Sequence, residues 1–158
     1  MNKERLNEMG YTTEFEGSFE FDRPLDDETY EFLKKLANTR RMARKVDESI
    51  YGPEGEFYVD GGGYFGGDHE DNIIDYNRPP RTQPGLWLQW VPTEDRRHLE
   101  WDGGEKFYYY IDWLEYLIEK VFEPRGYKLN GEVEWYREDS YDVGKIKVKD
   151  NKVTVEVR

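Results

Sequence analysis

The first regular pattern in the chain is an alternation of apolar and polar residues close to the N-terminus. Tyr11, Thr13, Phe15, Phe19 and Phe21 fall on one side of it, and the residues between them are mostly acidic. A period of two is the pattern of a half-buried β-strand, because successive side chains point to opposite faces. The segment therefore predicts a strand with one apolar face and one acidic face.

Two segments have the three-to-four-residue spacing of amphipathic helices. The first follows Asp26, which suits an N-cap, and is predicted to end in the basic run 40–45, whose charges would form a solvated face. The second covers residues 105–123 and carries one broad apolar stripe, which Pro124 and Gly126 terminate. Both patterns predict helices with one buried side.

Shorter apolar runs bounded by turn residues predict further strands. The last two are joined by Asp150-Asn151, which suits a two-residue hairpin turn because both residue types tolerate positive φ. In that hairpin the apolar residues of both strands are expected on one buried face: Ile146, Val148, Val153, Val155 and Val157. The predicted strands cover residues 56–60, 86–91, 98–101, 132–136, 145–149 and 152–157.

The order of elements is strand, helix, strand, long loop, hairpin, helix and three strands. Tight turns between neighbouring strands predict a mostly antiparallel sheet, with the two helices on one face. The fold class is therefore α+β, and the two strand–helix–strand passages favour a ferredoxin-like arrangement plus a C-terminal β-hairpin. One domain is expected over residues 1–158. Residues 1–10 are expected to be flexible, and residues 61–85 to form a long Gly/Pro-rich loop with a helical turn near Ile73 and Ile74.

Charge and residue usage narrow the function classes. The formal net charge of −12 over 158 residues disfavours direct binding of nucleic acid or an anionic membrane, and it favours a basic partner. The absence of cysteine excludes disulfides and thiolate metal sites, and no run is long and apolar enough for a membrane helix. Because the N-terminus lacks the apolar core of a signal peptide, a cytoplasmic protein is expected.

The long loop contains the candidate site for metal chemistry. Asp68, His69 and Asp71 could together bind a divalent cation, because carboxylates are the ligands that Ca²⁺ and Mg²⁺ prefer. Their spacing does not match an EF-hand, and a histidine among solvated surface acids is the ordinary alternative. No other cofactor is expected. No catalytic residue is assigned, because the chain has no cysteine and no G-x-S-x-G nucleophile elbow.

The most informative pattern is a second stripe on the predicted long helix, aromatic and away from the core stripe. A helix that is aromatic on two faces either offers a binding patch or is covered by another segment, and the aromatic residues of the long loop could take either part. The predicted partner-binding residues are Tyr109, Trp113, Tyr116, Lys120, Tyr64 and Phe65.

Several sequence blocks resemble a known group of proteins. They are residues 54–60 (EGEFYVD), 77–80 (NRPP), 83–87 (QPGLW), 101–109 (WDGGEKFYY) and 129–135 (LNGEVEW). From about Gly10 to its end, the chain resembles small uncharacterised proteins carried by bacteria and their phages or prophages. The resemblance implies a bacterial or mobile-element setting and brings no catalytic motif. Frequent Lys and Glu after Lys120 and the regular final hairpin would also suit an engineered relative.

These patterns predict a non-enzymatic protein-interaction module. It would act through an acidic, aromatic-rich surface as a phage-type modulator or inhibitor of a host factor. Nucleic-acid mimicry would direct it to a basic nucleic-acid-binding protein. The alternative is a small metal-dependent enzyme, or a small-ligand-binding domain, centred on residues 60–75. A small ligand would there be lined by Trp87, Trp90 and Tyr64.

Overall fold

The computed structural model describes residues 13–59, 71–137 and 142–157. By its internal contacts the chain divides into two units. The small unit is Asp26–Leu88, and the sheet unit consists of the segments on either side of it. The small unit is therefore an insertion after the first strand of the sheet unit. The predicted flexible N-terminus and residues 61–70 of the predicted loop lie outside the described residues.

The described residues form eight strands and three α-helices. The strands are β1 Thr13–Phe21, β2 Ala43–Arg44, β3 Ile73–Asp75, β4 Trp90–Pro92, β5 His98–Trp101, β6 Leu129–Arg137, β7 Val143–Lys149 and β8 Lys152–Val157. The helices are α1 Asp27–Asn38, α2 Glu48–Tyr51 and α3 Tyr110–Leu117.

The sheet unit is built on one six-stranded antiparallel sheet. Its strands lie side by side in the order β4, β5, β1, β6, β7, β8, so the first strand of the chain lies inside the sheet. β1 and β6 pair along their whole length, from Thr13 opposite Arg137 to Phe21 opposite Leu129. The longest pairing in the sheet thus joins segments from opposite ends of the chain.

One face of this sheet, the inner face, carries the apolar core and packs against α3. On β1, Phe15, Phe19 and Phe21 are buried and the glutamates between them are exposed, which confirms the predicted alternation. The ring of Tyr110 packs edge-on against Phe15, with 4.9 Å between centroids, and Phe122 packs against Phe21 at 5.0 Å. Phe122 ends a π-helical turn that continues α3. The helix and the first strand therefore share one aromatic core.

The predicted start of the long helix at residue 105 is wrong. α3 begins at Tyr110, because Lys106 and Tyr109 adopt positive φ angles of 56° and 59°. A left-handed residue is incompatible with a continuous right-handed helix, so the segment before Tyr110 turns instead. Phe107 is nevertheless buried, as the apolar stripe predicted.

The final hairpin forms as predicted, but the valines of β8 were wrongly predicted to be buried. Asp150 and Asn151 both have positive φ, and β7 and β8 pair without a bulge, with Ile146 opposite Val155. Ile146 and Val148 are buried, whereas 40% of Val155 and 71% of Val157 is exposed. β8 is the outermost strand of the sheet, so its apolar residues extend beyond the covered core.

The small unit contains α1, α2 and the two-stranded sheet of β2 and β3. Asp26 caps α1 as predicted, because its Oδ1 accepts a 2.7 Å hydrogen bond from the Thr29 N–H. The predicted helical turn near Ile73 and Ile74 is instead β3, which pairs with β2. The predicted strand at residues 56–60 is not formed between 56 and 59, where the chain turns after a short 3₁₀ segment, Pro53–Gly55.

The basic run that follows α1 is largely buried, which corrects the predicted solvated face. α1 ends at Asn38, and both Arg41 and Arg44 are 2% exposed. Arg41 Nη2 donates to the carbonyl oxygens of Gly55 and Glu56, at 3.3 and 3.0 Å. These bonds let a charged group lie inside the protein, since a buried charge is tolerated only when it is hydrogen-bonded.

The α+β class and the mostly antiparallel sheet are confirmed. The ferredoxin-like arrangement, and the covering of one face by both α1 and α3, stay predictions. Within the described residues, no helix has the length and apolar character needed to cross a membrane.

Candidate functional site

The outer face of the large sheet, opposite α3, carries charged side chains at alternate positions of its strands. Where the inner face has Phe15, Phe19 and Phe21, the outer face has exposed glutamates at 14, 16 and 20. The same alternation continues on β5, β6 and β7, because strand pairing aligns their outward residues in rows. The strands therefore present charge on one side and core on the other.

The outer face has an acidic zone on β5, β1 and β6. Its strand pairing places Glu16 opposite Glu134, and Ser18 opposite Glu132. Residues directly opposite each other on antiparallel strands have Cβ atoms about 4.5–5.5 Å apart. The acidic zone consists of Glu14, Glu16, Glu20, Glu100, Glu132 and Glu134.

Glu16 and Glu134 form a like-charge pair across two central strands. Such a pair destabilises a sheet, so it adds negative potential at some expense of folding free energy. The Tyr136 hydroxyl donates a hydrogen bond to Glu16, and this bond, together with the surrounding carboxylates, raises the pKa of Tyr136. Tyr136 is thus the aromatic residue that lies within the acidic zone.

A basic zone on β7 and β8 lies beside the acidic zone. Lys145 Nζ is 3.3 Å from Glu132 Oε2, and Lys147 Nζ is 2.9 Å from Glu156 Oε1. Hydrogen bonding to Glu156 raises the pKa of Lys147, so this lysine stays charged. Among the described residues, neither Lys nor Arg forms an ion pair with Glu14, Glu16 or Glu100. The uncompensated charge therefore lies on β5 and β1.

His98 is at the margin of the acidic zone. Its Nε2 lies 3.4 Å from Glu20 Oε2, and its Nδ1 lies 3.8 Å from Asp95 Oδ1. Asp95 also accepts hydrogen bonds from the Thr93 hydroxyl and the Arg97 N–H, which hold its pKa below the ordinary value. These two carboxylates lie beside the two ring nitrogens of His98 and orient the imidazole.

The predicted partner-binding stripe on the long helix is not an exposed surface. Trp113 is fully buried and Tyr116 is 6% exposed, and their rings pack against each other at 5.5 Å. Tyr109 is 45% exposed and Lys120 is partly exposed, so the stripe is interrupted in its middle. Trp113 and Tyr116 are therefore covered, and the covering of the stripe by the long loop stays a prediction. Tyr64 and Phe65 lie outside the described residues.

The predicted metal site falls mostly outside the described residues, which include neither Asp68 nor His69. Asp71 is described and exposed. In the described ranges no three His, Asp or Glu side chains are grouped closely enough to hold a metal ion. Of the residues suggested for a small-ligand pocket, Trp90 is buried and its Nε1 donates to the Tyr110 carbonyl oxygen, while Tyr64 is not described.

Only part of the acidic zone can be predicted from the sequence. The alternation in β1 revealed Glu14, Glu16 and Glu20, because a period of two is local. Glu132 and Glu134 alternate with Val133 and Trp135 in the same way, but their position beside β1 depends on a pairing between distant segments. Their own alternation was the available signal, and only the register joins the two strands into one surface.

Comparisons with protein-family models, with curated proteins and with solved structures find no match to this chain.

Proposed function

We propose that the chain is a non-enzymatic protein-interaction module that binds a basic partner protein through the acidic zone. The observation that carries this proposal is the like-charge pair of Glu16 and Glu134 on adjacent central strands. Opposed carboxylates weaken the sheet. Lys145 Nζ lies 3.9 Å from Glu134 Oε1, whereas Glu14, Glu16 and Glu100 have no ion pair with lysine or arginine among the described residues. A basic partner would relieve this repulsion, and that relief would favour binding of the partner.

Nucleic-acid mimicry is the finer form of this proposal. Glutamates at alternate positions of one strand lie about 6.8 Å apart along it. Two such pairs, Glu14 with Glu16 on β1 and Glu132 with Glu134 on β6, stand on adjacent strands and concentrate negative charge on the outer face. These glutamates suit a basic groove that binds a phosphate backbone, because the glutamates and the phosphates both present repeated negative charge. Given the resemblance to phage and bacterial proteins, the partner would be a host nucleic-acid-binding protein that the module modulates or inhibits.

The test compares two variants of equal charge. One replaces Glu14, Glu16 and Glu134 by Gln, and the other replaces Glu31, Glu94 and Glu105 by Gln, which are exposed residues that do not belong to the acidic zone. Each removes three negative charges, so both change the net charge from −12 to −9. Binding of a labelled oligolysine peptide is measured by fluorescence anisotropy over a range of salt concentrations.

The first variant should bind the peptide several-fold more weakly than the second and should show a shallower dependence on salt. Equal losses in both variants would mean that the peptide responds to overall charge, and the proposed surface would be wrong. For the mimicry form, a DNA-binding protein captured by the chain should be released by competing duplex DNA. Retention of that protein in the presence of excess DNA would contradict mimicry.

A further inference from the structure

A second surface lies at the β8 edge of the sheet, away from the acidic zone. Among the described residues β8 pairs with β7 alone, and no proline or bulge interrupts it. Natural edge strands are normally protected against pairing with other chains by prolines, bulges, charged side chains or inward-pointing charges. On its inner side β8 has Val153, Val155 and Val157, of which the last two are 40% and 71% exposed. The inner side of this edge is therefore apolar and partly exposed, while its charged residues, Lys152 and Glu156, alternate with the valines.

Among the described residues, the outward backbone groups of the same three valines have no partner strand. Asp150 and Asn151 have φ angles of 46° and 70°, as in a type I′ turn, in which the flanking Lys149 and Lys152 are hydrogen-bonded to each other. Hydrogen-bonded and non-hydrogen-bonded pairs alternate along an antiparallel ladder. It follows that the N–H and C=O groups of the three valines of β8 point away from β7, toward the free edge.

An acidic groove borders the same edge on the inner face. It has a volume of about 430 Å³ and lies between the α3 segment with its π turn and the start of β8. Glu115, Glu119 and Glu123 line it at intervals of four residues, which places them on one side of the helix, and Ile118 and Val153 supply apolar contacts. Lys152 is the cation among the lining residues, so the groove keeps an excess of negative charge.

We propose that β8 accepts an antiparallel strand from a basic partner protein. The backbone of that strand would pair with the free edge of β8, which is the β-augmentation mode of peptide recognition. Its inward side chains would be branched and apolar opposite Val155 and Val157. The side chain opposite Val153 would be Arg or Lys, whose aliphatic stem covers the valine while its charge reaches the groove glutamates.

A second copy of this chain fits the edge less well than a basic strand does. Pairing of two β8 strands would join two sheets and place two acidic grooves on the same side of the joined sheet. Each chain also has a net charge of −12, so the copies repel each other. The edge surface uses none of the residues of the acidic zone, so it goes beyond the proposed function and does not depend on it.

The test uses two synthetic peptides, Thr-Val-Thr-Val-Thr-Arg-Thr and the same sequence with Glu in place of Arg. Paired antiparallel, the inward residues of the first peptide lie opposite Val157, Val155 and Val153 in turn. Adding this peptide should slow amide hydrogen exchange at these three valines, as measured by NMR, and the Glu peptide should bind about tenfold more weakly. Unchanged exchange at the valines, or equal binding of the two peptides, would overturn the proposal.

Two variants separate strand addition from general attraction. Val155→Pro removes an N–H that faces the free edge and no bond to β7, so it should abolish binding of the Arg peptide. If this variant does not fold, Glu119→Lys with Glu123→Lys, both at exposed positions, provides an independent test, because it should reverse the preference between the two peptides. A preference that is not reversed would contradict the assigned groove.

Two controls test whether the peptide binds the acidic zone instead and whether a second copy of the chain occupies the edge. The variant with Gln at positions 14, 16 and 134 should bind the Arg peptide as the parent chain does, whether or not the acidic zone functions. Weaker binding by that variant would assign the peptide to the acidic zone and overturn the edge proposal. Sedimentation that shows a dimer, lost in Val155→Pro, would make a second copy the occupant and would likewise overturn it.

Discussion

Two basic stretches of this chain have opposite fates. Residues 40–45 of the small unit bury two arginines, whereas residues 145–149 of the sheet unit hold lysines on the outer face of the sheet. Arginine can lie inside because its planar group has five donors that carbonyl and amide oxygens can satisfy together. The lysines at alternate positions of β7 instead lie on the outer face of the sheet, where their side chains contact solvent. The comparison teaches that residue type and backbone geometry, rather than charge density, decide where a basic run lies.

The buried arginines each hold a separate part of the small unit. Arg41 Nε donates to Gln83 Oε1 at 3.2 Å, and the Gln83 side chain donates in turn to the Glu56 carbonyl oxygen at 2.6 Å. Arg44 lies over the ring of Tyr58, 4.2 Å from its centroid, and donates to Asn72 Oδ1 at 2.9 Å. These contacts connect β2 and the 3₁₀ segment with loop residues of the small unit, so the arginines hold together parts of the chain that few helices or strands join.

The largest effect is expected from Arg41→Ala, which tests whether the buried stretch is structural. It removes the hydrogen bonds that Arg41 donates to Gln83, Gly55 and Glu56 and leaves their oxygens unsatisfied in a cavity, so the free energy of unfolding should fall by about 3–4 kcal/mol. Lys45→Ala, an exposed position in the same run, should change it by less than about 0.5 kcal/mol. Chemical denaturation measures both. Similar losses in the two variants would show that burial of Arg41 does not determine its contribution to stability.

A smaller effect is expected from Glu54→Gln, which tests an ion pair at the surface of the small unit. Both carboxylate oxygens of Glu54 accept hydrogen bonds from Arg78 at 2.9 Å, and these bonds, with one from the Arg81 N–H, lower its pKa from 4.5 to about 2. Because the folded-state pKa is the lower one, the stabilisation is present above pH 4.5 and is lost as the pH falls toward 2.

We therefore expect Glu54→Gln to lower stability at pH 7 by about 1 kcal/mol, a value reduced by solvent screening at this partly exposed pair. The stability difference from the parent chain should shrink between pH 4.5 and pH 2. Glu31→Gln, on the exposed side of α1, is the matched control and should show no such pH-dependent difference. A difference that persists at pH 2 would exclude the ion pair as its source.

Local signals in the sequence predicted the elements whose geometry is local. The alternation of β1, the Asp26 cap and the Asp150-Asn151 turn each depend on a few adjacent residues, and all three are confirmed. The sequence patterns gave wrong predictions where pairing between distant segments or positive φ angles determine the structure. β3 exists because it pairs with β2, some thirty residues earlier, and such a pairing leaves no mark in a three-residue strand.

Backbone geometry explains the wrong strand at residues 56–60. Phe57 and Val59 have side chains that favour strands, but Gly52, Glu54 and Gly55 just before them all adopt positive φ and turn the chain. The candidate site likewise has a part that the sequence predicts and a part that it does not. The β1 glutamates were evident from the sequence, whereas the like-charge pair and the solvent exposure of the β8 valines required the register and the strand order.

The smallest effect is expected on the outer face, where Glu16→Gln and Glu132→Gln should have opposite signs. Glu16 faces Glu134, so its neutralisation should raise stability by about 0.3 kcal/mol at low salt. Glu132 is within reach of Lys145 and Lys147, so its neutralisation should lower stability by a similar amount. Thermal unfolding at low and high salt measures both, and the two effects should fade with salt. Effects of the same sign would contradict the assigned charge zones.

The pairing of β1 with β6 also determines when this protein can fold. During synthesis β1 leaves the ribosome before β6, its full-length partner, which emerges about a hundred residues later. At roughly 5–20 residues per second, the phenylalanine-rich strand waits on the order of ten seconds. During that interval its apolar side is open to chaperones and to aggregation. The glutamates that alternate with those phenylalanines keep the nascent strand charged, so they protect the chain before they form any surface.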